Sequence, residues 1–281
     1  MNVAFYIKRL DQAFPSGLIC RCCGNNVYTL SSTQESICNF CEAYASVKDK
    51  DVVHSSVEVE NNLMAMQSSA INGSWIEGTA HADALAATKD PYFLYGAASF
   101  YKFFSDYTYY GVDYTLGGFM YSNAEKRSDE AQKNKYNAVA LISKSKGFLF
   151  RALKVINDTP NPNYTLLFIK FMSEFKLGRI AHAQKTLAAI NASSEIEQIK
   201  SYANMVMNTG NPKRMIAEKY IKDGLFHGVL NSLYYLSIYA AAHRDVDNSI
   251  KMLDLLAKKA NMPAAVYAGI RLKDIKNASQ M

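Results

Sequence analysis

From about residue 57 onward, apolar residues recur at three- and four-residue spacing with few β-branched clusters, and that period predicts helices almost throughout. The pattern breaks at near-regular places. Turns are expected near Gly73, Gly111, Gly147, Gly178, Gly210 and Arg244, which are 38, 36, 31, 32 and 34 residues apart. A recurring interval near 34 residues marks stacked helical hairpins. Ahead of this region, Val3, Tyr6, Ile7, Leu10 and Phe14 predict a short amphipathic helix, ended by Pro15-Ser16-Gly17. Residues 43 to 56, with Lys48-Asp49-Lys50-Asp51, are polar and are expected to be a linker.

The best-defined hairpin spans residues 164 to 195. Leu167, Phe168 and Phe171 line its first helix, Leu177-Gly178-Arg179 turns, and Ala183, Leu187 and Ile190 line the second. This resembles a tetratricopeptide repeat, with Ala183 standing where that family has a small residue early in the second helix. Residues 230 to 262 follow the same scheme, with Leu233, Leu236 and Ala240, a turn at Arg244, then Ser249, Leu253 and Leu256. The stretch from Tyr202 to Lys222 supplies an intervening copy. Residues 60 to 91 fit again, with Leu63 and Met66, the Asn72-Gly73-Ser74 turn, Gly78 as the small residue, Ala82 and Leu85, and Pro91 at the end. No copy carries the family's full first-helix pattern, and residues 92 to 160 are irregular, so a generic α-solenoid or a non-repeating helical bundle stays open. Residues 262 to 275 read as a capping helix.

The cysteines add a second unit. All five lie in the first 41 residues, and four form Cys20-x2-Cys23 and Cys38-x2-Cys41. Two such knuckles supply the tetrahedral thiolates of a structural zinc, so a zinc ribbon is expected with Cys20, Cys23, Cys38 and Cys41 as ligands. Cys22 is the spare thiol and an alternative to Cys20. The 14 residues between the pairs suit a short hairpin, in which Tyr28, Thr29 and Leu30 read as a strand. Gly24 stands where a knuckle needs positive φ. Disulfides are the alternative, but an odd cysteine count, paired spacing and charged residues Lys8, Arg9 and Asp11 in place of a secretory leader favour metal and a cytoplasmic setting. The expected organisation is a ribbon unit over residues 1–45 and a helical-repeat domain over residues 57–281.

A net charge of +6 is mild for 281 residues, and the lysines are often beside acids, as in Glu125-Lys126-Arg127-Ser128-Asp129-Glu130. The five histidines never pair at metal-hydrolase spacing, and Gly117-Gly118 lacks the frame of a phosphate loop. Between Tyr92 and Tyr121 the aromatic residues are too dense for one buried stripe, which fits either a thick core between hairpins or a tyrosine-rich groove. Arg21, Asn25, Asn26, Asn39, Phe40 and Glu42 are the expected exposed residues near the knuckles, a poor phosphate-binding surface. No apolar run is long enough for a membrane span.

The expectation is a mainly α protein, an α-solenoid of tetratricopeptide-like hairpins with a small zinc ribbon. By the resemblance, its role is that of a non-catalytic scaffold or adaptor that holds a protein or peptide in the helical groove. The alternative is a factor associated with RNA or DNA through the ribbon and the lysines of residues 133 to 154.

Overall fold

Alternating short strands around each cysteine pair and long apolar periods after them divide the chain into two kinds of element. A computed structural model describes residues 14–29, 35–38, 40–46, 56–72, 74–110, 112–113, 120–121, 127–192, 197–209 and 246–257. Strands β1 (Phe14–Ile19) and β2 (Asn26–Thr29) form one antiparallel hairpin, and β3 (Glu35–Ile37) and β4 (Tyr44–Ser46) a second. Each hairpin closes on one Cys-x2-Cys turn. The strands therefore flank the knuckles, and the expected hairpin between the two cysteine pairs is replaced by one hairpin around each. In β1–β2, Phe14 faces Thr29 and Ile19 faces Asn26, with an irregularity between Pro15 and Ile19. In β3–β4 the pairing is regular from Glu35 with Ser46 to Ile37 with Tyr44.

Two expectations at the front of the chain change accordingly. Phe14 and the Pro15-Ser16-Gly17 segment belong to β1 and not to a helix or its stop; residues 1 to 13 lie outside the described residues. Residues 44 to 46, expected to be linker, form β4, because Tyr44 and Ala45 have apolar surface to bury against the helices.

Eight helices follow among the described residues: α1 (Val57–Asn72), α2 (Trp75–Ala87), α3 (Pro91–Tyr110), α4 (Arg127–Asp158), α5 (Tyr164–Lys176), α6 (Ile180–Ala192), α7 (Glu197–Thr209) and α8 (Val246–Ala257). A two-residue pair of strands, β5 (Val112–Asp113) and β6 (Met120–Tyr121), lies between α3 and α4. From α1 to α7 each helix packs on the next, and α3 also packs on α5. The protein is mainly helical.

Local chemistry sets the helix ends. Ser56 accepts from the Val59 amide through Oγ at 3.3 Å and caps α1. At α3, Asp90 accepts from the Tyr92 amide at 2.8 Å, and Pro91 takes the first helical position, where its missing N–H costs nothing. Pro91 thus opens a helix where it was expected to end a repeat. Asn163 caps α5 by accepting from the Leu166 amide at 2.9 Å. At the other end of α5, Gly178 adopts φ +72°, and the Arg179 amide donates to Glu174 O at 2.8 Å. That left-handed stop turns the chain into α6.

The hairpin of α5 and α6 falls where the sequence places it, with Phe168, Phe171, Ala183, Leu187 and Ile190 buried. The hairpin of α1 and α2 does too, and at Gly78 the packing is so close that a β-carbon would stand 2.8 Å from Ser69 Cβ of α1 and 2.4 Å from Phe100 Cζ of α3. Gly147, expected at a turn, instead lies inside α4, a helix of 32 residues. With α3 at 20 residues, α3 and α4 form one long helical pair, and Gly147 does not continue the even spacing of turns. Residues 210 to 245 and 258 to 281 lie outside the described residues, and with them most of the expected copies after residue 202 and the capping helix.

The core centres on α3. Tyr92, Leu94, Tyr95, Phe100, Tyr101 and Phe103 are all buried around that helix, so this part of the dense aromatic run serves as core; the side chains of Tyr107, Tyr109, Tyr110, Tyr114 and Phe119 lie outside the described residues. The cysteine hairpins contribute to this same core, through Leu18, Val27, Ile37 and Tyr44. Among the described residues, no helix is long and apolar enough to cross a membrane.

Candidate metal centre

The two knuckles are held by matching backbone bonds. The Cys20 amide donates to Asn25 O at 2.9 Å and the Gly24 amide to Cys20 O at 2.8 Å. In the second knuckle the Cys38 amide donates to Ala43 O at 2.8 Å and the Glu42 amide to Cys38 O at 2.9 Å. Both turns end on a left-handed residue, Gly24 at φ +72° and Glu42 at φ +65°.

These turns aim four thiols at one point. The Sγ atoms of Cys20, Cys23, Cys38 and Cys41 all lie within 4.8 Å of one another, and Cys20 to Cys41 and Cys23 to Cys38 are each 3.5 Å. Metal–sulfur bonds of about 2.3 Å in a tetrahedron require sulfurs about 3.8 Å apart. The four cysteines are thus close enough to bind a metal ion. All four are 0% exposed. Cys22 is buried beside them but lies outside the set of four. The five cysteines are free thiols.

Crowding and burial shift the thiols in opposite directions. Hydrogen bonding with the thiols of Cys22, Cys23, Cys38 and Cys41 holds Cys20 well below the ordinary thiol value. Burial pushes Cys22, Cys23 and Cys41 well above it. Several buried thiolates this close repel one another unless a positive ion sits between them. Polar groups already point at the sulfurs: the Phe40 amide donates to Cys38 Sγ at 3.4 Å and Asn25 Nδ2 to Cys23 Sγ at 3.5 Å. Such donors orient and stabilise metal-bound thiolates.

The helices enclose the knuckles. Tyr95 on α3 donates its hydroxyl to Cys41 O at 2.7 Å. Lys176, the last residue of α5, donates to Cys41 O at 3.0 Å and to Tyr95 Oη at 2.9 Å, and pairs with Glu42 at 3.2 Å. Tyr202 on α7 donates to Glu42 at 3.2 Å. On the first knuckle, Arg21 lies 3.7 Å from the ring centroid of Tyr92 and pairs with Asp90 at 3.4 Å.

Of the residues expected to be exposed near the knuckles, Arg21, Phe40 and Glu42 therefore face the helical body, Phe40 with its ring 4.9 Å from that of Phe103. Asn25 turns back on Cys23; Asn39 and the Asn26 side chain lie outside the described residues. Sequence reasoning missed Tyr95, Lys176 and Tyr202, which sit on helices far along the chain with no local motif. In the basic stretch of α4, Lys144 pairs with Asp83 at 2.7 Å and Arg151 donates to Ala86 O at 3.0 Å, while Lys146 and Lys154 are exposed. His81 bonds Asn62 at 2.9 Å and His182 is exposed; His54, His227, His243 and Gly117-Gly118 lie outside the described residues. No protein-family model, curated protein or solved structure matches this chain.

Proposed function

We propose that this protein is a non-catalytic scaffold or adaptor whose helical hairpins hold a protein or peptide, and that Cys20, Cys23, Cys38 and Cys41 bind a structural zinc ion. The observation that carries the metal part is the closed set of four buried sulfurs. Four thiolates complete the coordination of zinc, whereas a catalytic zinc keeps a position open to water or substrate. Zinc over other ions rests on the all-sulfur tetrahedral set. The scaffold part is supported by a chain of helices that pack on their neighbours, the arrangement stacked hairpins use to present long surfaces. A cytoplasmic, reducing setting fits thiols kept for metal.

Binding to nucleic acid is the reading of the other class. Its cations near the knuckles, Arg21 and Lys176, are engaged by Asp90 and Glu42, which disfavours phosphate contact there. The deciding experiment is recovery of the tagged protein from its own cells with and without nuclease, together with metal analysis. Protein partners that survive nuclease and one equivalent of zinc are expected. Partners lost on nuclease treatment would overturn the scaffold reading, and protein purified without metal that takes up none when offered zinc would overturn the zinc centre.

A further inference from the structure

The two knuckles differ at one position in a way that local structure does not require. Each ends on a left-handed residue, and the first uses glycine, the residue suited to that conformation. Gly24 has a further reason to lack a side chain, since a β-carbon there would stand 3.0 Å from Leu63 Cγ. The second knuckle places Glu42 at φ +65°, strained backbone for a residue with a β-carbon. What the glutamate gains is reach. One carboxylate oxygen pairs with Lys176 at the end of α5 and the other accepts from Tyr202 on α7, each at 3.2 Å.

Glu42 follows Cys41 directly, so its backbone is set by the turn that a bound metal would clamp. From this geometry we infer that Glu42 transmits metal occupancy to the helical body: with the four sulfurs joined, the left-handed turn is held and Tyr202 is tied; with them released, the turn relaxes and α7 loosens. The inference rests on the four cysteines binding metal. It makes α7 the part of the described helical surface that loosens beyond the common loss of core stability when zinc leaves, through Tyr202 and the Phe168 ring 6.4 Å from it.

The test is hydrogen exchange on the full chain, zinc-loaded and chelated, with zinc titrated separately. In the unmodified protein, chelation should speed exchange across residues 197–209 by about tenfold, within the ordinary span of coupling between sites. Glu42→Gly suits the turn and should keep its zinc, yet exchange in α7 should be fast with zinc bound and should gain no more on chelation than the helices around it. Tyr202→Phe should reproduce that uncoupling with the glutamate in place. If either variant responds to chelation as the unmodified protein does, or if Glu42→Gly loses zinc, transmission through Glu42 is wrong. Failure of the unmodified protein to bind zinc in the titration would instead overturn the metal centre itself.

Discussion

Gly96 packs so closely on Cys22 that a β-carbon on it would stand 1.7 Å from the Cys22 carbonyl oxygen. The first knuckle thus docks on α3 backbone to backbone. Gly96→Ala should lower stability by roughly 1–3 kcal/mol, because the opposing atom belongs to the main chain and cannot swing aside. Gly147 is the control of opposite sign. It lies inside α4 with nothing within 4 Å of an added β-carbon, so Gly147→Ala should raise stability by about 0.5–1 kcal/mol. Denaturant melts of both variants check the pair, and equal melting of Gly96→Ala and the unmodified protein would show that this docking is absent.

Chelation of the bound metal should weaken the helices as well as the hairpins. The described cysteines share one buried core with α1, α3, α5 and α7, so metal loss should lower the stability of the whole core in addition to any local loosening of α7. The expected result is a lower melting temperature of the far-ultraviolet helical signal in a single transition, with Cys38→Ser behaving alike. A helical melt unmoved by chelation would show that the two parts are stable separately.

Tyr95→Phe should cost roughly 1–3 kcal/mol, since it removes a buried donor to Cys41 O and an acceptor of Lys176 together. Lys144→Ala should cost less than about 1 kcal/mol, because its pair with Asp83 is half exposed. Chemical denaturation of the two variants would rank them, and a reversed order would remove the Tyr95 network from the account.

The Lys144 pair also has a pH signature. Burial disfavours its charge, but hydrogen bonds with Asp83 and Tyr101 outweigh that and raise its pKa above the ordinary 10.5. A raised folded value means that its contribution is fully present below the ordinary lysine pKa and fades as pH climbs through the raised one. The stability difference between Lys144→Ala and the unmodified protein should therefore be level around neutrality and shrink in strong alkali. A difference that changes across neutral pH would point to another group.

Ala183 is fully buried where α6 meets α5. Ala183→Leu should overpack that contact and cost roughly 1–3 kcal/mol. An unchanged melting temperature would show that this face of α6 has room to spare.

The cysteine cluster was legible because Cys-x2-Cys is a local geometry, and so was the α5–α6 hairpin, whose apolar period and Gly178 stop are both local. The strands were harder to place, since pairing around a knuckle or between knuckles uses the same residues. Gly147 misled because glycine weakens a helix by only about 1 kcal/mol, which packing on either side easily offsets. The surroundings of the site were not legible at all. Arg21 meets Asp90 69 residues away and Glu42 meets Tyr202 160 residues away, and side-chain polarity alone reads such residues as exposed.

Those separations also set an order of events during synthesis. Glu42 leaves the ribosome 160 residues before Tyr202, an interval of roughly 8 to 32 seconds at ordinary elongation rates. Over that time α1, α3 and α5 emerge one after another, and until the last of them and α7 arrive the newborn knuckles must guard their thiols with their apolar side only partly covered. Early capture of a metal ion would close the sulfurs against oxidation and stray pairing, and leave only the docking face waiting for the rest of the chain.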